Sequence, residues 1–302
     1  MYFRHKVIIE CIMAKRKREV STEQLKQELR LSVIEANFIR IEELVTEGVN
    51  INSTDIGGTN SLHIAARQGE LEILLFLEQL GANINNVDYE GDSVLHYAAR
   101  NNNISIIKYL VEEKGFNLNA QNNDGNTALS LAALYNHIDL VRYLVEQGAD
   151  INLADRYGNS PLLISIFEGH FAIAYELINR EADLNKANHY GDDPLYIVAY
   201  KLVTSEDVDT KDEYFDLAFE LKEKGAETGN YTYLTREPHI NPSKVISDEL
   251  YTDTSNYLQS SSDDEVGLSY NSLNLNEARQ EDTPDFHPDN IDLPLQGHIY
   301  SE

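Results

Sequence analysis

The chain is 302 residues long, carries a formal charge of −27 and holds one cysteine, Cys11. That charge repels phosphate and so speaks against bare nucleic acid and anionic membrane as partners, while a basic protein face fits it. One cysteine excludes an internal disulfide, and no apolar run approaches the ~18 residues of a membrane span.

Residues 1–20 read as a basic flexible arm. Its apolar stretch is short, is interrupted by Glu10 and is followed by Lys15-Arg16-Lys17-Arg18 rather than small residues, so it fits a secretory signal poorly. The four basic residues read as a solvated arm; the alternative is a nuclear import or nucleic-acid contact. Met13 offers a second start, which would remove Cys11. Ser21-Thr22-Glu23-Gln24 has the form of a capping box and predicts a helix that opens a first unit, closed by Gly48-Val49-Asn50-Ile51-Asn52.

From Asp55 one pattern repeats. It begins at Asp55, Asp88, Asn122, Asp155 and Asn188, at steps of 33, 34, 33 and 33 residues. A fixed period of this size predicts a stacked array, whose extended surface suits macromolecular partners. The fourth position is always glycine, from Gly58 to Gly191, as a turn with positive φ requires. The sixth is Asn60, Ser93, Thr127, Ser160 or Asp193, all good helix N-caps, and Pro161 and Pro194 follow two of them. A short, small-sided helix is predicted next, with Leu62, Ala65 and Ala66 as its first example. It ends at Gly69, Asn102, Asn136 or Gly169. A second helix follows, for instance through Ile138, Val141 and Leu144, and then a short extended piece at Ile84, Leu118, Ile151 and Leu184.

Three irregularities are expected. Repeat three has an extra residue near 114–117, lengthening its second helix. Glu181 stands where glycine should end a helix, an altered cap. In repeat six, residues 204–211 read as a polar insertion forming a long loop, with the second helix resuming at Asp212.

The wording Ser61-Leu62-His63, Leu95-His96, Gly81-Ala82-Asn83-Ile84-Asn85 and Gly148-Ala149-Asp150-Ile151-Asn152 resembles the ankyrin repeat. The resemblance implies an all-α repeat solenoid of about six helix-turn-helix repeats with hairpin tips. Expected repeats are 22–54, 55–87, 88–121, 122–154, 155–187 and 188–228, within an array at 21–228. His63 and His96 are expected to hydrogen-bond backbone rather than to bind metal or act in catalysis. The sequence contains no P-loop, dinucleotide fingerprint or paired-cysteine metal pattern, so neither enzyme nor cofactor is expected.

The resemblance also implies that positions two, three, five, thirteen and fourteen line a concave binding face. Those columns include Asp92, Asn159 and Lys201, and they gather Tyr89, Arg100, Tyr135, Arg156, Tyr157, Phe167, Tyr190 and Tyr200. Tyrosine, arginine and phenylalanine favour interface hot spots. The alternative is that some of them pack on neighbouring tips. A monomer that binds a protein partner is expected.

Residues 229–302 lose the period and hold 14 acidic and 3 basic side chains with five of the seven prolines. They read as a disordered acidic tail, and 74 aperiodic polar residues do not build a catalytic core. Ser260, Ser261 and Ser262, before Asp263-Asp264-Glu265, suit an acid-directed kinase. Tyr270-Asn271-Ser272-Leu273 has the form of a sorting motif. Tyr231, Tyr233, Tyr251 and Tyr257 suit docking back on the array or ordering on a partner. The organisation resembles ankyrin effectors secreted by intracellular bacteria, with Glu277, Glu281, Asp282, Asp285 and Ile299-Tyr300 in an export signal, which implies a cytoplasmic protein delivered to a host cytoplasm or nucleus. It also resembles the inhibitor-of-NF-κB group, which implies masking of a basic transcription-factor surface.

Overall fold

In the computed structural model the described residues are 22–227, together with Val245. The basic arm with Cys11 and Lys15 to Arg18, the three serines at 260–262, the sorting-like tetrapeptide and the export-like residues lie outside them. So does Ser21 of the capping box.

Twelve α-helices follow in six pairs among the described residues. They are α1 (Thr22–Ile34) and α2 (Phe38–Thr46), then α3 (Ser61–Gln68) and α4 (Leu71–Gln79), then α5 (Val94–Arg100) and α6 (Ile104–Lys108). The last three pairs are α7 (Ala128–Leu134) with α8 (Ile138–Glu146), α9 (Pro161–Phe167) with α10 (Phe171–Asn179), and α11 (Pro194–Thr204) with α12 (Val208–Glu223). The odd-numbered inner helices stack on one another in sequence. Column residues Leu62, Leu95, Leu129, Leu162 and Leu195 are all buried between them, as are Ala65, Ala98, Ala132, Ser165 and Val198.

The local signals work as expected. Asn60, Thr127, Ser160 and Asp193 accept amides of the first helical turn, and Ser93 caps α5 in a capping box. Gly58, Gly91, Gly125, Gly158 and Gly191 all have positive φ, and Asn102 and Asn136 end inner helices in the left-handed region. Glu181 takes φ 63° where the other repeats use glycine, so the altered cap is a left-handed non-glycine residue. Ala36, at φ 52°, does the same before α2 without any sequence signal.

Three local expectations are corrected. The extra residue of repeat three is absorbed upstream of 114–117, as a π-helical turn over Tyr109–Glu113 that continues α6. The supposed long loop at 204–211 is mostly helix: α11 runs through Thr204 and α12 starts at Val208, with Asp207 capping it through Thr210 N at 2.9 Å. The pieces at Ile84, Leu118, Ile151 and Leu184 are turns, and the described hairpin pairing is a single bridge between Val87 and Ser93.

Buried histidines tie an inner helix to the loop that leads out of its repeat, and His96 also reaches the next tip at Asn126. His63 Nδ1 accepts from Asn60 N at 3.1 Å, and its Nε2 meets Asn86 O at 3.2 Å. His96 repeats this with Ser93 N at 3.1 Å and with Ala120 O and Asn126 O at 3.2 and 3.1 Å. Burial pushes both imidazoles below the ordinary value of 6.5, against the pull of nearby carboxylates and carbonyls. The unfolded chain therefore takes up protons first as pH falls below about 6.5, so stability is held above that pH and lost below it, down to the depressed folded values. The melting temperature is expected to fall from pH 7.5 to 5.5, and less steeply in the His63→Gln, His96→Gln double variant. Equal slopes in the two proteins would remove the histidines as the cause.

Candidate functional site

Each hairpin tip is held by its first residue. Asp88 Oδ1 accepts from Glu90 N and Asp92 N at 2.9 and 2.8 Å, and Asp155 Oδ1 accepts from Tyr157 N and Asn159 N, both at 2.8 Å. Asp55, Asn122 and Asn188 repeat the arrangement. Successive tips are then joined through backbone. Tyr89 N donates to Gly57 O at 3.0 Å, Asn123 N to Glu90 O at 2.9 Å, Arg156 N to Asp124 O at 2.8 Å and His189 N to Tyr157 O at 2.8 Å. The tips thus form a continuous ladder beside the stacked inner helices, and the second and third columns are carried along it.

The predicted residues divide by how much of each the fold already uses. Tyr89 is 71% exposed, although its ring edge also rests against Gly58. Arg156 is exposed; its guanidinium pairs with Asp124 at 2.7 Å, lies 4.7 Å from the Tyr157 ring centroid and donates to the Tyr157 hydroxyl. Tyr157 and Tyr190 are half-buried on adjacent tips. Phe167 and Tyr200 are half-buried in equivalent positions of α9 and α11. Lys201 lies over the Phe167 ring at 4.1 Å, and burial lowers its pKa despite the attraction of Glu168.

Two predicted residues do structural work. Arg100 pairs at 2.7 Å with Asp92, which is 1% exposed and also accepts from Asn122 Nδ2 at 2.7 Å. Tyr135 packs against the core and stacks with His137, ring centroids 6.3 Å apart. The fifth column does not line a face throughout, since Asp92 and Asn159 are buried.

Sequence reasoning passes over other residues of this side. Tyr97 stands in a column otherwise filled by Ile64, Leu131, Ile164 and Ile197. Its hydroxyl donates to Asp88 Oδ2 at 2.8 Å and lies 3.1 Å from Thr59 Oγ1. Burial is the main cause that lifts it to about 12. Asn103, His137 and His170 open the outer helices, and each reaches back to the end of the preceding inner helix: Ala66 O, Arg100 O and Leu134 O at 2.6, 3.0 and 3.1 Å. Tyr214 completes the series on Ile166 O at 3.1 Å. The signal for the first three was their shared place sixteen residues into the repeat.

The outer helices carry a second set of links, away from the tips. Tyr109 and Lys114 hold Glu78, Tyr143 donates to Glu112 at 2.9 Å, Arg142 pairs with Glu176 at 3.0 Å and Arg180 with Glu146 at 3.1 Å. Charged side chains there are spent on joining neighbours. Among the described residues no three His, Cys, Asp or Glu side chains gather as metal ligands, and no described helix is long and apolar enough to cross a membrane.

The model of the family described as ankyrin repeats matches three overlapping stretches, residues 29–122, 75–155 and 95–188. No curated protein matches the chain.

Proposed function

We propose, from the premise that this chain belongs to the ankyrin repeat family of protein–protein interaction modules, that it binds a protein partner along the tip ladder and the adjoining inner helices. The observation that carries this reading is the state of the tips. Their backbone is satisfied by the first-column Asp and Asn side chains and by the tip-to-tip bonds. Large side chains such as Tyr89, Tyr157 and Tyr190 therefore stand there without being needed to hold the turn. A rigid row of half-exposed aromatics supplies contact area at small ordering cost.

The partner's charge follows from the array's own. Residues 22–227 hold 35 acidic and 15 basic side chains, a net of −20, which supports a partner with a basic face. Arg67, Arg100, Arg156 and Lys201 are cations of these binding-side columns, and the last three are already matched, by Asp92, by Asp124 and by the Phe167 ring. Partner affinity, measured by calorimetry on the full chain, is expected to weaken about tenfold or more between 0.05 and 0.5 M sodium chloride. A flat salt response would overturn the basic-partner reading. The effector and transcription-factor-masking readings rest on residues outside the described array, and the array supports protein binding in either setting.

A further inference from the structure

The outer helix of the last repeat is built unlike those before it. α8 and α10 have 9 residues each, whereas α12 has 16. The clamp column shows where the surplus lies. Tyr214 bonds Ile166 O as His170 bonds Leu134 O, and α10 opens directly after its clamp. Residues 215–223 are therefore the regular outer helix, and residues 208–214 add roughly two turns ahead of it.

This longer helix leaves apolar side chains in water. Val208 is 67% and Phe219 49% exposed, Phe215 is half-buried, and the three share one face at helical spacing. Val203, on the last turn of α11, is 42% exposed. In earlier repeats the column of Phe219 meets the next repeat. Lys108 lies over the Tyr143 ring at 5.4 Å, Arg142 pairs with Glu176 at 3.0 Å, and Tyr175 lies beside the carboxylates of Asp216, Glu213 and Glu220. Among the described residues no outer helix follows α12 to cover Phe219. The end of an array ordinarily turns a polar face to water, and an apolar face kept there marks contact with another molecule. We infer that the outward face of α12, with Val208, Phe215 and Phe219 as its apolar stripe, is a second docking surface, for a basic amphipathic helix of a protein partner.

The charges beside the stripe select that occupant. Asp209, Asp212, Glu213, Asp216, Glu220 and Glu223 follow one another at helical spacing along one flank, and Lys211 and Lys222 lie on the other. Glu220 pairs with Lys224 at 3.7 Å, whereas Asp209, Asp212, Glu213 and Asp216 form no ion pair among the described residues. Unmatched carboxylates along an apolar stripe attract a helix that carries lysine or arginine beside its own apolar face. A second copy of the chain would bring the same net negative charge and be repelled, as would an anionic membrane. The inference does not rest on binding at the tips.

The test titrates the full chain into a labelled amphipathic peptide of leucine and lysine, read by fluorescence anisotropy. Val208→Ser with Phe219→Ser is expected to weaken binding about tenfold or more, with the melting temperature close to wild type because both side chains are exposed. Tyr157→Ala with Tyr190→Ala should bind the peptide as wild type does. Peptide is expected to slow hydrogen exchange in α12 and to leave α4 unchanged. Undiminished affinity in the serine variant would overturn the surface, as would an equal loss in the tyrosine variant. Equal affinity for a leucine and glutamate peptide would overturn the basic occupant. So would a dimer of the wild-type chain that the serine variant loses.

Discussion

Gly125→Ala is expected to cost the array about 3 kcal/mol and to split its unfolding into two steps. Gly125 has φ +79°, which for alanine carries roughly 1–2 kcal/mol of strain. A Cβ there would also sit 2.6 Å from Arg156 N and 2.9 Å from Asp155 C, both backbone atoms that cannot swing aside. Relieving the overlap pulls apart the tip-to-tip bond from Arg156 N to Asp124 O, about 1 kcal/mol more. In a linear stack each repeat leans only on its neighbours, so damage at one junction uncouples the two sides. Gly148→Ala is the control. Its φ is +88° and nothing lies within 4 Å of the added methyl, so it should pay strain alone. Urea denaturation of both variants measures the difference, and equal losses would show that the tip contact carries no weight.

Tyr157→Ala with Tyr190→Ala is expected to lower partner affinity about a hundredfold or more while the fold keeps its stability to within about 1 kcal/mol. The two side chains stand in the same column of adjacent tips. The bond that joins those tips, His189 N to Tyr157 O, belongs to backbone and survives truncation. Loss of the Tyr157 ring frees Arg156 from one stacking contact but leaves its pairing with Asp124. Tyr135→Ala gives the contrast, since that ring packs on the core and should show its cost in stability. Unchanged affinity in the double variant, measured by calorimetry with the partner captured by the full chain, would move the binding site elsewhere.

Both expectations lean on features legible at different distances along the chain. Gly125 was readable as an obligate turn from its column alone. What a methyl there would strike was not, because Asp155 and Arg156 arrive from the next repeat. The caps Asn60, Thr127, Ser160 and Asp193 were legible for the same local reason: each acts on amides two or three residues away. Residues 204–211 misled because Thr204 to Lys211 read as a polar insertion, whereas Asp207 caps a helix whose buried side, Tyr214, Leu217, Ala218 and Leu221, comes later. The pairing of Arg100 with buried Asp92 was equally hidden, since arginine in an exposed column looks the same whether it faces a partner or its own turn.

The sequence by itself determined the period, the sign of φ at the turn glycines, the helix starts and the burial of the leucine and alanine columns. Those follow from short-range sterics, capping and helical spacing, which act within one repeat. Only the tertiary structure decided how the exposed columns are used. Stacking brings residues about 33 positions apart into contact, so Asn103, His137 and His170 become junction clamps. Arg100 and Tyr135 turn inward, while Tyr89, Tyr157 and Tyr190 remain on the tips.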